Sequence, residues 1–213
     1  METETKSNPH KHKNIFKPII IIYFLGILFF VLMFLWMLYP LAYDWAWGDE
    51  VIEDHIRELL GNETDYYIAV PAILNWIKNE IHYPTEEESL WVLRNGWGLY
   101  WIDGKLRFFH RGIPAPWVIK SKLGRCGEDA NYFVEIMREL GYNARMIKTD
   151  GWDHSWAEFY TPEGIKILVD PSAYRIINEN LSEFGLRGNW TTIWAINKDK
   201  SLENISKEYS INN

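Results

Sequence analysis

The hydrophobic pattern is dominated by one unbroken apolar stretch near the amino terminus. From Pro18 to Tyr43 no charged residue appears, and IIIIYFLGILFFVLMFLWMLYPLAY offers the ~20 apolar residues that span a hydrocarbon core at ~1.5 Å each. Trp36, Tyr39, Tyr43, Trp45 and Trp47 gather toward its far end, as an interfacial belt does. The pattern predicts a transmembrane helix over 18–43. A core helix seldom runs this long without a polar face. A cleaved signal peptide has an apolar region of only ~7 to 15 residues and ends in small side chains, whereas this stretch ends in bulky aromatics. It reads as a retained anchor.

Beyond residue 48 the pattern changes to alternating apolar and polar positions. Val51, Ile52, Ile56, Leu59 and Leu60 fall at helical spacing and stop at Gly61, which predicts a helix over 49–60. A second helix is expected from about Asp65 to Ile81, with Ile68, Val70, Ile73, Leu74, Trp76, Ile77 and Ile81 on its buried face. The stretch from Pro84 to Trp117 is rich in Trp, Gly and Pro; it predicts a short helix near Leu90 among loops, with its aromatics in the core. In NYFVEIMREL, Phe133, Ile136, Met137 and Leu140 repeat at three and four residues and end at Gly141, so Cys126 opens a helix. Strands are expected at 144–148, 155–160 and 165–169, separated by Asp150-Gly151 and by Thr161-Pro162-Glu163-Gly164, and again at 191–196 and 202–206. Helices followed by strands indicate an α+β domain over 48–213.

Charge orients the anchor. Four lysines against Glu2 and Glu4 give residues 1–17 a charge of +2, leaving −9 of the net −7 on the remainder. Asp44, Asp49, Glu50, Glu53 and Asp54 follow the span. The positive flank predicts a cytoplasmic tail over 1–17 and a domain on the extracytoplasmic side of a lipid bilayer. Four N-x-[ST] sequons, at Asn62, Asn180, Asn189 and Asn204, lie in that outer part and fit a domain open to glycosylation. The acidic balance argues against nucleic acid as a partner, which would call for a basic surface. Twelve Trp, twelve Tyr and ten Phe bury too much apolar surface for a disordered chain. The single cysteine excludes an internal disulfide and a multi-cysteine zinc site, and the oligomeric state is left open.

The lone cysteine also carries the candidate chemistry. A thiol attacks as the thiolate, and free amides at a helix amino terminus favour that anion. A base must take the proton and return it to the leaving group, and a third group must orient that base. His154 at the start of one expected strand and Asp170 at the end of the next become neighbours if the two strands pair antiparallel. Cys126, His154 and Asp170 therefore form a candidate catalytic triad. Each has an ordinary reading too: a packed cysteine, a surface histidine and an Asp-Pro turn. One Cys, one His and one Asp could instead ligate zinc, but no second thiol and no histidine pair at i, i+4 support a metal. No cofactor is called for.

At these residues the chain resembles a known family. GRCGEDANYFVEIMRELGYNARMI, DHSWAEFY and LVDPS are similar to the transglutaminase-like core of papain-like cysteine enzymes, and more narrowly to the peptide:N-glycanases, whose core reads GRCGEWAN, then DH-x-W-x-E-x-Y, then DP. The likeness covers about residues 65 to 210 and is strongest from Gly124 to Pro171. It implies Cys126 as nucleophile, His154 as acid/base and Asp170 as orienting carboxylate, with a helical half carrying the cysteine and an antiparallel sheet carrying the other two. Arg125, Gly127, Glu128, Ala130 and Asn131 match around the nucleophile, and Asp153, Trp156, Glu158 and Tyr160 around the histidine. Glu128 and Trp156 are candidates for substrate binding or support, and the Trp117 indole for a second oxyanion donor beside the Cys126 N–H. Asp129 stands where the glycanase motif has Trp, and the paired zinc cysteines of those enzymes are missing.

The resemblance implies a cysteine-dependent amide hydrolase or acyl transferase, peptide:N-glycanase-like or protease-like, working through a thioester on a polypeptide or glycoprotein, and the apolar stretch adds a membrane anchor to it. Transfer to an amine, as in transglutaminases proper, and a non-catalytic binding module are the alternatives.

Overall fold

The apolar stretch and the amphipathic one after it belong to one element in the computed structural model, α1 (Phe16–Leu60), where the sequence pattern separates two helices. Residues 44–48 carry no proline to stop a helix, and Gly48 costs only about 1 kcal/mol in a helix interior. The structure describes residues 16–93, 97–150, 154–178, 184 and 190–209. The tail up to residue 15, Gly151, Asp153 and the sequons at Asn180 and Asn189 lie outside the described residues. The chain divides into two compact units, one ending at Ala42 and the other beginning at Tyr43. In the first, α1 is long and apolar enough to cross a membrane, with a mean hydropathy of 2.9 over its best 18-residue window and no burial there.

In the second unit α2 (Tyr66–Glu80) begins at Asp65, whose carboxylate accepts from Tyr67 N at 2.8 Å, a helix cap of the expected kind. Ala69, Val70, Ile73, Leu74 and Ile77 are buried along one stripe, as the periodicity requires.

The region that follows differs from expectation. Leu90 lies in a strand, β1 (Ser89–Leu93), which pairs antiparallel with β2 (Trp97–Ile102), itself paired with β3 (Lys105–Phe109). The cause is legible afterwards: SLWVL, WGLYWI and KLRFF are dense in aromatic and branched residues that suit a pleated surface. Asp103-Gly104 makes the two-residue turn, with φ of 51° and 70°, the left-handed pair of a type I′ hairpin. Tyr100, Ile102 and Phe109 are buried, but Trp91 and Trp101 are about half exposed, so the aromatics of this stretch are only in part core. Two prolines then open the short helix α3 (Ala115–Ser121).

The helix α4 (Cys126–Glu139) buries Ala130, Phe133, Val134, Ile136 and Met137. It packs on β4 (Asn143–Thr149) and β5 (Ser155–Tyr160), at the middle of a six-stranded sheet. The remaining strands are β6 (Lys166–Asp170), β7 (Arg175–Ile177), β8 (Ile193–Ile196) and β9 (Leu202–Asn204), in the order β7-β6-β5-β4-β8-β9, every pair antiparallel. Alternation along the strands gives each sheet face a core. Ala144, Ala157, Phe159 and Val169 join the helices, while Ile147, Trp156, Ile193 and Tyr209 join a second cluster. A fully buried side chain such as Phe133 or Phe159 contributes roughly 1.5–3 kcal/mol. The outcome is an α+β unit of helices on antiparallel sheets.

Candidate active site

Cys126 is the first residue of α4, a free and partly exposed thiol. The helix start is built around Glu128, two residues on, which is buried and has both carboxylate oxygens engaged. Oε2 accepts from Arg125 N at 3.1 Å and Oε1 from Gly112 N at 2.7 Å. The first bond is the returning half of a capping box and the second holds the loop after β3. Burial pushes the Glu128 acid up against the opposing pull of these bonds. Arg125 anchors the same corner through Pro84 O at 3.1 Å, its guanidinium 5.1 Å from the Tyr83 ring centre and 5.7 Å from that of Phe109.

His154 immediately precedes β5, and Asp170 ends β6. Because Ala157 pairs with Val169 in an antiparallel ladder, the start of one strand lies beside the end of the other. His154 Nε2 donates to Asp170 Oδ2 at 3.0 Å, which leaves Nδ1 for the Cys126 thiol within hydrogen-bonding reach. The structure thus brings together all three residues of the expected triad. The bond to Asp170 and then the contact with Cys126 push His154 up to about 9, against the effect of its burial. Burial would raise Asp170, but the bond from His154, with those from Ser172 Oγ at 2.9 Å and Ala173 N at 3.2 Å, holds it below the usual carboxylate range. Asp170 thus both caps the Asp-Pro turn and accepts from the imidazole. The His154 main chain is fixed as well, its N donating to Thr149 Oγ1 at 3.1 Å and its carbonyl accepting from Thr149 N.

Trp156 is fully buried, donates from Nε1 to Tyr209 OH at 3.1 Å and lies with its ring centre 5.9 Å from that of His154. Trp190, which the sequence did not single out, stacks on it with ring centres 5.0 Å apart and also on His154 at 6.1 Å and 21°. Trp117 lies in α3, edge-on to Tyr43 at 5.5 Å. Glu158 is buried in an ion pair with Arg145, its cross-strand partner, and Lys166 lies 3.8 Å away. Asp129, one turn beyond Cys126, is buried, and among the described residues its Oδ1 has no hydrogen-bond partner. Burial first, then the Glu128 and Asp170 charges, push it up to about 8. Among the described residues no group of three or more His, Cys, Asp or Glu is placed to hold a metal.

A family model described as the transglutaminase-like superfamily matches residues 54–171. The peptide-N(4)-(N-acetyl-beta-glucosaminyl)asparagine amidase of Drosophila melanogaster is 31% identical over 103 residues, covering 48% of this chain and 16% of that protein. The protein of the same description from Mus musculus is 30% identical over 136 residues, covering 62% and 20%. The chain thus spans a fifth or less of the length of these relatives. A crystal structure of Rad4-Rad23 crosslinked to an undamaged DNA is similar with a TM-score of 0.45 and 13% identity, over 75% of this chain and 40% of that one, a likeness too slight to argue from.

Proposed function

Because the chain belongs to the transglutaminase-like superfamily, we propose that it is a membrane-anchored cysteine-dependent amide hydrolase using Cys126, His154 and Asp170. The observation that carries this reading is one imidazole held between a helix-opening thiol and a buried carboxylate. The Cys126 sulfur attacks an amide carbonyl carbon, and the tetrahedral oxygen draws on the Cys126 backbone N–H as one donor. The Trp117 indole is the candidate for the second. The C–N bond then breaks, and His154 Nδ1 gives its proton to the departing nitrogen. Water next attacks the thioester, its proton passes to His154, and the C–S bond breaks to release the acid. Asp170 keeps Nε2 protonated throughout and so presents Nδ1 to both half-reactions. A His154 that holds its proton up to about 9 is charged at neutral pH and ready as the acid.

The names of the relatives point to the side-chain amide of a glycosylated asparagine as the bond cleaved, in a glycoprotein or glycopeptide. The polarity of the flanks supports an extracytoplasmic position for the domain. Mass spectrometry of glycopeptides and plain peptides incubated with the full chain tests this. Conversion of the glycosylated Asn to Asp with release of the glycan is expected, and it should vanish in Cys126→Ala. In Asp170→Asn, kcat should fall by on the order of 10³–10⁴ as the wrong tautomer is favoured. Backbone cleavage would replace the glycan reading with a peptidase, and incorporation of a labelled amine would replace hydrolysis with transfer. Alkylation of Cys126 at a rate unchanged by His154→Ala would leave a binding module.

A further inference from the structure

The hydrogen bond from Nε2 to Asp170 fixes one corner of the His154 ring and not its plane. The torsion that turns an imidazole on its Cβ has broad, roughly two-fold wells, so a ring held at one nitrogen keeps freedom to rock about that contact. A second hold has to bear on the face of the ring. Trp190 supplies it: the two ring centres are 6.1 Å apart and the planes differ by 21°. Trp156 lies 5.9 Å from His154 at 32°, and the two indoles are 5.0 Å apart at 25°. Near-parallel planes at these separations are offset stacks. Trp190 is itself held. It packs edge-on to Phe184 at 5.5 Å and joins the second apolar cluster. Two residues on, the Thr192 carbonyl accepts from Asp150 N at 3.1 Å, next to the Thr149 that fixes the His154 main chain. The imidazole, a quarter exposed, thus rests against a fixed aromatic wall.

We propose that Trp190 is a positioning residue: its indole sets the plane of the His154 ring, so that Nδ1 is presented to the Cys126 sulfur while Nε2 stays on Asp170. The inference rests on the triad reading. An indole face also attracts a cation within about 6 Å of its centre. The 6.1 Å found here stands at that limit, so orientation is the larger part of the role. Trp156 shares the stack from within the core, where it is fully buried. Trp190 is only partly buried, so replacing its ring tests the stack without opening the middle of that core. Without the indole the imidazole spends more time turned from the sulfur, and the thiolate-imidazolium pair is less populated. Cys126 then behaves more like an ordinary thiol, which ionises at about 8.5. The effect reaches the chemistry through His154, without contact with substrate.

The test needs no substrate, because Cys126 is the single cysteine of the chain. The full chain in detergent is alkylated with iodoacetamide at pH 7 and at pH 10, and the ratio of the two rates is taken at the Cys126 peptide. At the higher pH any thiol is largely ionised, so the ratio reports the thiolate that His154 holds at neutral pH and cancels changes in access. His154→Ala sets the floor. Trp190→Leu, which keeps an apolar side chain and loses the ring, should lower the ratio roughly two- to tenfold, the worth of one aromatic pair. Trp190→Phe should return most of that loss. Ile205→Ala, a cut into the same apolar cluster, should lower the melting temperature and leave the ratio at the parent value, as a merely structural contact would. A parent ratio in Trp190→Leu, or equal losses in all three variants, would overturn the proposal while leaving the triad standing. A measurement on the parent alone bears on the same point: the His154 ring protons should resonate upfield of their ordinary positions in the NMR spectrum, and ordinary positions would overturn the stack. If His154→Ala keeps the parent ratio, the triad reading falls and this inference with it.

Discussion

Asp129 makes the stability of the fold depend on pH in a definite direction. An acid raised from about 3.8 to about 8 binds more protons in the folded chain than in the unfolded one between those values, so stability falls as pH rises through that window. Asp129→Asn removes the loss, which amounts to about 1.4 kcal/mol per unit of pH difference. The variant should melt at a higher temperature than the parent at pH 7.5 and show no advantage at pH 4, as followed by calorimetry or circular dichroism. His154 runs the same way over a higher window: its raised value contributes stability that is fully present below about 6.5 and is lost as pH rises to about 9. Residues of this kind differ in how far sequence betrays them. Cys126, His154 and Asp170 stand at element ends that local pattern defines, so their meeting follows from a helix start and one antiparallel pairing. The role of Glu128 was half visible, since its spacing from Arg125 suits a cap, but its bond to Gly112 joins segments that no local rule connects. Trp190 was invisible, because stacking on His154 and Trp156 leaves no periodic mark.

At the scale of elements, α2 and α4 follow the hydrophobic period because each has one dry face, whereas β4 to β6 are legible as short apolar runs between turn sequences, with a core on both faces of their sheet. The three-stranded sheet escaped because its aromatics are divided between a buried and a half-exposed side, so alternation is blurred by Trp91 and Trp101. Its strongest local sign, Asp103-Gly104 between two aromatic runs, is a hairpin signal of the kind that marks a turn by itself. Gly104 has φ of 70°, and an L side chain there is strained although no atom crowds the site. Gly104→Ala should therefore lower stability by about 1 kcal/mol, seen as a small drop in melting temperature with Cys126 alkylation unchanged. The join within α1 was missed for a different reason: a pattern that changes from uniformly apolar to amphipathic reads as two helices even where the backbone has no cause to break.

At the scale of the molecule, the proposed anchor separates two solvents along one chain. Its residues from Ile19 to Leu35 are largely exposed, an arrangement that suits hydrocarbon and would be costly in water. The protein should stay in the pellet through alkaline carbonate extraction. Charged replacements at Ile27 and Phe30 together should release it, each costing roughly 2.5–3.5 kcal/mol at the centre of a span.

The bridge made by Glu128 has a last consequence for anyone trimming the protein to a smaller fragment. One carboxylate serves the amide at the start of α4 and the amide of the loop that leaves the three-stranded sheet. Excising that sheet as an ornament would loosen the loop that gives a buried carboxyl one of its two partners, next to Cys126. A fragment that keeps this sheet and its join to α4 must therefore begin upstream of Ser89.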